Sequence, residues 1–111
     1  QAGGKQHSCR TVIVCSGAHH RELGLADEKR LQGRGVSYCA LCDGNFFRNA
    51  PVAVVGGGNA ALEESLYLAR LASKVYVIHR RDEFRGAKIY QDKLEAMPDK
   101  VELVRSTAKR P

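Results

Sequence analysis

The chain has 111 residues, room for one small domain, and its 43% hydrophobic and 27% charged content is that of a folded globular protein, not a disordered one. No apolar run approaches the ~20 residues a membrane span needs, and the opening Gln1-Ala2-Gly3-Gly4-Lys5 lacks a secretory signal pattern, which points to the cytoplasm and away from a membrane protein. The net charge of +6 suits an anionic partner, and its concentration in His79-Arg80-Arg81 and Arg85 favours a local phosphate site over a nucleic-acid face.

Thr11-Val-Ile-Val-Cys15 is the first apolar run and predicts a buried strand, closed by Ser16-Gly17-Ala18. Cys15 then behaves as a small buried hydrophobe, and Cys9 is incidental. His19 to Gly35 is polar, contains glycine and has little periodicity, as a connection does.

Cys39-Ala-Leu-Cys42 follows. Two cysteines at this spacing sit close enough to cycle between dithiol and disulfide, and Asp43 beside the second sulfur can pass a proton if burial raises its pKa. Two alternatives stand beside redox chemistry. One is a zinc site completed by Cys9 and Cys15 or by His19 and His20, against which their irregular spacing counts. The other is an inert structural pair.

Val52-Ala-Val-Val55 is a short continuous apolar run, the pattern of a strand covered on both faces. Gly56-x-Gly58-x-x-Ala61 follows it directly and opens a helical pattern over Asn59–Ser73. That context raises an otherwise weak fingerprint. Gly56 allows the tight turn, Gly58 leaves room for a diphosphate, and Ala61 lets helix and strand pack closely. The helix start adds N–H groups and a partial positive charge. Leu62, Leu66 and Ala69, with Ala61, Ser65 and Leu68 beside them, make the inward face; Glu63, Glu64, Tyr67 and Arg70 lie opposite. A tight turn with no ligand is the plainer alternative.

Val75-Tyr-Val-Ile78 predicts the second buried strand. An NAD site places an acidic residue at its end for the ribose hydroxyl, but this chain has His79, Arg80 and Arg81, with Arg85 a turn further on. Guanidinium groups fork onto a phosphate, so NADPH is expected over NADH; a solvated basic face is the alternative. Asp82 is placed to cap a helix running to about Met97, with Ile89 and Leu94 turned inward and Pro98 stopping it. Val101–Val104 predicts a third strand. The β-α-β-α-β order implies an α/β fold with parallel strands, one Rossmann-like mononucleotide-binding half.

With these residues in place a resemblance can be stated. Val36-Ser-Tyr-Cys-Ala-Leu-Cys-Asp-Gly44, Val54-Val-Gly-Gly-Gly-Asn-Ala-Ala-Leu-Glu-Glu64 and His79-Arg-Arg-Asp-Glu-Phe-Arg85 resemble the bacterial low-molecular-weight thioredoxin reductases over essentially the whole chain. The peroxiredoxin-reducing flavoproteins are close relatives. The resemblance implies a homodimeric flavoenzyme in which NADPH reduces FAD, FAD reduces the cysteine pair, and the pair reduces thioredoxin or a similar protein. It makes Cys42 the sulfur facing the flavin, Cys39 the one attacking the partner disulfide, and Asp43 the acid. Gly56, Gly58, Asn59, Ala60, Ala61 and Glu63 would form the coenzyme turn, His79, Arg80, Arg81 and Arg85 the 2′-phosphate clamp, and Ser16 and Gly17 part of the flavin side. Ala60 stands where Ser or Thr is usual, and Ala40-Leu41 puts an apolar residue where Thr is common. The family's flavin-binding glycine turn is absent from these residues. The chain therefore reads as an interior fragment: residues 1–20 a remnant of the FAD-binding domain and crossover, 21–111 an incomplete NADPH-binding domain, inactive alone. A stand-alone NADPH-binding redox module is the alternative from the binding class.

Overall fold

The structure is a computed structural model that describes residues 3–105; residues 1–2 and 106–111, the outer ends of the two expected segments, lie outside the described residues. Two single helical turns come first, α1 (Glu28–Leu31) and α2 (Ala40–Asp43), the second running into a 3₁₀ turn over Gly44–Phe47. Strand β1 (Pro51–Val55) leads through α3 (Asn59–Leu68) to β2 (Lys74–His79), and β2 leads through α4 (Lys88–Glu95) to β3 (Val101–Arg105).

The three strands form one parallel sheet in the order β1-β2-β3, with Val54 opposite Val77 and Val77 opposite Leu103. Parallel neighbours require crossovers of this kind, and α3 and α4 supply them. The α/β, Rossmann-like expectation holds. Leu62, Val75 and Val77 are fully buried, and Leu94 and Ala72 are 1% exposed; Leu68, Ala69, Phe84 and Val101 complete the same core.

Both helices contribute to that single core, so they cover one face of the sheet. This corrects the expectation that the first strand is covered on both sides. Along β1 only Val52 and Val54 are half-buried, while Ala53 and Val55 are exposed; along β2, Val75, Val77 and His79 are buried and Ile78 is exposed. The alternation of side chains along a strand turns every second residue away from the helices.

Helix α3 buries Leu62, Ser65 and Leu68, the face expected, and its continuation to Ser73 is a turn in which Ala69 and Ala72 remain buried. The second helix departs further. Asp82 does not cap it: α4 starts at Lys88, Ile89 is 60% exposed, and of the two expected inward residues only Leu94 is buried. The reason is tertiary. The Arg85 and Gly86 N–H groups both donate to the Gly57 carbonyl, at 2.8 and 2.9 Å, which holds residues 80–87 as a loop against the preceding turn.

The expected first strand at Thr11–Cys15 does not form: the segment is unpaired, with Val12, Ile13 and Val14 73%, 88% and 78% exposed. Cys15 is an exposed free thiol, not a buried hydrophobe, and Cys9 is also exposed and free. A strand is stabilised by a ladder and a covered face, and the described residues offer this segment neither.

Candidate redox and dinucleotide site

The cysteine pair is built by α2. Cys39 stands in extended backbone at its N-cap, Cys42 lies within it, and the two are joined as a disulfide. In that state neither sulfur is available to a metal, and among the described residues no three His, Cys, Asp or Glu side chains gather as a metal site. The Cys42 N–H donates to Cys39 Sγ at 3.1 Å. A donor in that position stabilises negative charge on sulfur. Cys42 is exposed and Cys39 half-buried.

Asp43 is half-buried, so burial does not seal its carboxylate from solvent. Ser37 ties it in: the Ser37 hydroxyl accepts the Cys39 N–H at 3.1 Å and donates to Asp43 Oδ2 at 2.5 Å. Ser37 was not among the residues singled out from the sequence. Its signal there is weak, a serine two residues before a backbone N–H it can accept from. Ser37, both cysteines, Asp43, Tyr38 and His20 line an open cleft of about 430 Å³.

Tyr38, in the lining of this cleft, is anchored by Glu28, 4% exposed. Its carboxylate accepts the N–H groups of Leu23, Gly24 and Leu25 at 2.9, 2.8 and 3.3 Å and the Tyr38 hydroxyl at 2.6 Å. The Tyr38 hydroxyl first, then these N–H donors, hold Glu28 at a pKa of about 2, below the ordinary 4.5. The same bond pushes the Tyr38 phenol up to about 12. His20 stacks on the Tyr38 ring, centroids 3.5 Å apart, and so joins the segment before α1 to the cysteine loop.

The second half of the site lies at the C-terminal ends of β1 and β2. Gly56 has φ +149, and a Cβ there would sit 2.9 Å from Ala61 Cβ, so both the tight turn and the close helix packing require glycine. A Cβ on Gly57 would fall 2.5 Å from the His79 ring. At Gly58 it would meet nothing within 4 Å. Packing therefore does not demand glycine at 58, and the space beside it is open. Gly58 caps α3, whose first-turn N–H groups have no intrahelical acceptor. Asn59, Ala60 and Glu63 are exposed around that helix start.

Arg80, Arg81 and Arg85 are exposed, and no carboxylate pairs with any of them among the described residues, although Asp82 and Glu83 lie between them in the chain. His79 is placed differently. It is 7% exposed beneath Gly57, stacks on Phe84 with centroids 5.3 Å apart, and its Nε2 has no hydrogen-bond partner among the described residues. It forms the floor of the glycine turn, with the arginines at the rim. Ser16 and Gly17 lie exposed in the unpaired segment, and no hydrogen bond joins them to either half of the site.

A parallel sheet with a glycine turn at its C-terminal edge and a dithiol pair on the same domain defines a class of redox protein, and the sequence agrees. Residues 1–108 match the pyridine nucleotide-disulphide oxidoreductases, and the chain belongs to that family. It is 54% identical over 92 residues to a thioredoxin reductase of Listeria innocua, spanning 83% of this chain and 29% of that protein. A glucosaminate ammonia-lyase of Pseudomonas fluorescens is 58% identical over 90 residues, 81% of this chain and 28% of its own length. Among solved structures, thioredoxin reductase from Streptococcus pyogenes superposes with a TM-score of 0.75 at 52% identity, over 80% of this chain and 29% of that one. The chain thus spans less than a third of the length of these relatives. No helix among the described residues is long and apolar enough to cross a membrane.

Proposed function

We propose that this chain is the nicotinamide-dinucleotide and dithiol portion of an NADPH-dependent thioredoxin reductase, with residues 1–20 forming the approach from a flavin-binding domain and the domain itself running from residue 21. The observation that carries the reading is the Cys39–Cys42 disulfide, held beside Asp43 on the same small domain as the glycine turn and its unpaired arginines. The lyase relative shares this span of sequence, so the span alone is compatible with more than one parent activity; the disulfide favours dithiol chemistry.

The coenzyme's residues fit it. Gly58 offers open space at a helix start for the diphosphate, and Arg80, Arg81 and Arg85 are uncompensated cations for a 2′-phosphate. NADPH would supply a hydride, two electrons and a proton. Flavin is what the family implies, and the described residues form no cradle for it, Ser16 and Gly17 being exposed and outside any helix or strand.

From the reduced pair the chemistry belongs to the chain. The Cys39 thiolate attacks one sulfur of the partner's disulfide, that S–S bond breaks, and the departing partner thiolate takes a proton, which Asp43, lining the same cleft, is the acid group to pass. The Cys42 thiolate then attacks Cys39 Sγ, closing the internal disulfide and releasing the partner's second thiol. Two electrons have passed from the chain to the partner.

The test needs no flavin. The chain, chemically reduced and freed of reductant, is mixed with oxidised thioredoxin, and thiols are counted by alkylation and mass spectrometry. Disulfide transfer is expected, abolished by Cys39→Ser and stalled as a mixed disulfide by Cys42→Ser. Failure of the wild-type chain to exchange removes the reductase reading.

A further inference from the structure

The coenzyme reading assigns two separate stretches to one ligand: the turn at 56–59 for the diphosphate and the loop at 80–87 for the 2′-phosphate. These stretches are far apart in sequence, and three hydrogen bonds join them. Two are backbone bonds, from the Arg85 and Gly86 N–H groups to the Gly57 carbonyl. The third is the Ala87 N–H donating to Asn59 Oδ1 at 2.7 Å, across 28 residues of sequence. Gly86 fills the gap between them: a Cβ there would fall 2.5 Å from Leu62 Cδ1 and 3.1 Å from the Gly58 carbonyl carbon, and Leu62 is fully buried and cannot move aside.

Resting on that reading, we infer that Asn59 is a positioning residue for coenzyme discrimination: its side-chain oxygen fastens the arginine loop to the diphosphate turn and sets the separation at which the two phosphate groups are gripped. Asn59 supplies the side-chain hydrogen bond that crosses the seam, so the seam can be weakened there without a steric clash. Ala87 is also the N-cap of α4, with no side-chain cap of its own. The bond therefore sets where the arginine loop ends and the helix begins. An asparagine that merely touched the diphosphate would matter equally to both nicotinamide coenzymes. One that places the arginines matters to NADPH alone.

The experiment compares this chain with Asn59→Ala and Asn59→Asp. The last keeps the acceptor and adds a charge that repels either coenzyme's diphosphate alike. Calorimetric titration gives the ratio of NADPH to NADH affinity, and amide hydrogen exchange at Ala87 reads the seam without ligand. Asn59→Ala is expected to lower the ratio about fivefold, the scale of one lost hydrogen bond, and to speed Ala87 exchange by a similar factor. Asn59→Asp is expected to preserve the ratio and the Ala87 protection while weakening both coenzymes. An Asn59→Ala variant that loses NADPH and NADH equally, or leaves Ala87 exchange unchanged, overturns the inference. A wild-type chain that shows no preference for NADPH sinks the coenzyme reading and the discrimination role with it, while disulfide exchange with thioredoxin stands or falls separately.

Discussion

At Glu28 one carboxylate closes four hydrogen bonds, and its consequences reach the redox loop because Tyr38 adjoins Cys39. Its folded pKa, about 2, lies below the ordinary 4.5. The carboxylate therefore contributes its full stabilisation above pH 4.5 and loses it as pH falls from there toward 2. Urea midpoints measured across that window should drop for the wild-type chain, and drop less steeply for Glu28→Gln, which starts lower and has no charge to lose. Tyr38 works in the opposite sense. Its phenol, raised to about 12, holds its bond through neutral pH and surrenders it only in strong base. The cysteine pair, Asp43, the glycines and the arginines were legible in the sequence because each motif is local. Glu28, Tyr38 and Ser37 were not: the Glu28–Tyr38 bond spans ten residues with no periodic pattern to announce it. His79 was legible by type only. Adjacency to Arg80 and Arg81 grouped it with them, while strand alternation turned its ring under Gly57.

Among the elements, the sheet shows how one run of similar residues divides into two environments. Val77 is fully buried against the helices, whereas Val55 is 51% exposed on the opposite face. The same isosteric change separates them. Val77→Thr buries a hydroxyl and should cost about 2 kcal/mol in chemical denaturation, while Val55→Thr should stay within about 0.5 kcal/mol. Equal costs would mean that both faces are covered. The continuous Val52–Val55 run suggested such double cover, because apolar composition alone does not distinguish a two-sided strand from a one-sided one. Helix α4 teaches the same lesson at its start. Asp82 is a good cap by type, but capping is a local preference, and three hydrogen bonds from the neighbouring turn outweigh it.

Across the whole molecule, the radius of gyration is 18.0 Å, against about 13 Å for a compact domain of this length. The excess comes from the N-terminal stretch, exposed throughout and making no backbone hydrogen bond between residues 6 and 22 among the described residues. Towards its C-terminal end this stretch is held by the His20–Tyr38 stack and by the Glu28 clamp on residues 23–25. Limited trypsin digestion followed by mass spectrometry should therefore cut at Arg10 and Arg21 well before Lys74 or Arg105, which lie in strands. Saturating NADPH should slow cleavage after Arg80 and Arg81 and leave Arg10 unaffected. Protection at Arg10, or none at Arg80, would count against this placement of the coenzyme.

By itself the sequence determined the chemistry and the order of elements: a dithiol pair, a glycine turn ending one strand, cations ending the next, and helices between parallel strands. These are carried by residues adjacent in the chain, where backbone geometry and side-chain type act directly. Only the tertiary structure decided which face of the sheet is covered, that Thr11–Cys15 stays unpaired, where α4 begins, and that His79 supports the turn from below. Each of those depends on a partner brought close by folding, and burial and hydrogen-bond pairing between distant segments leave no periodic trace in the order of residues.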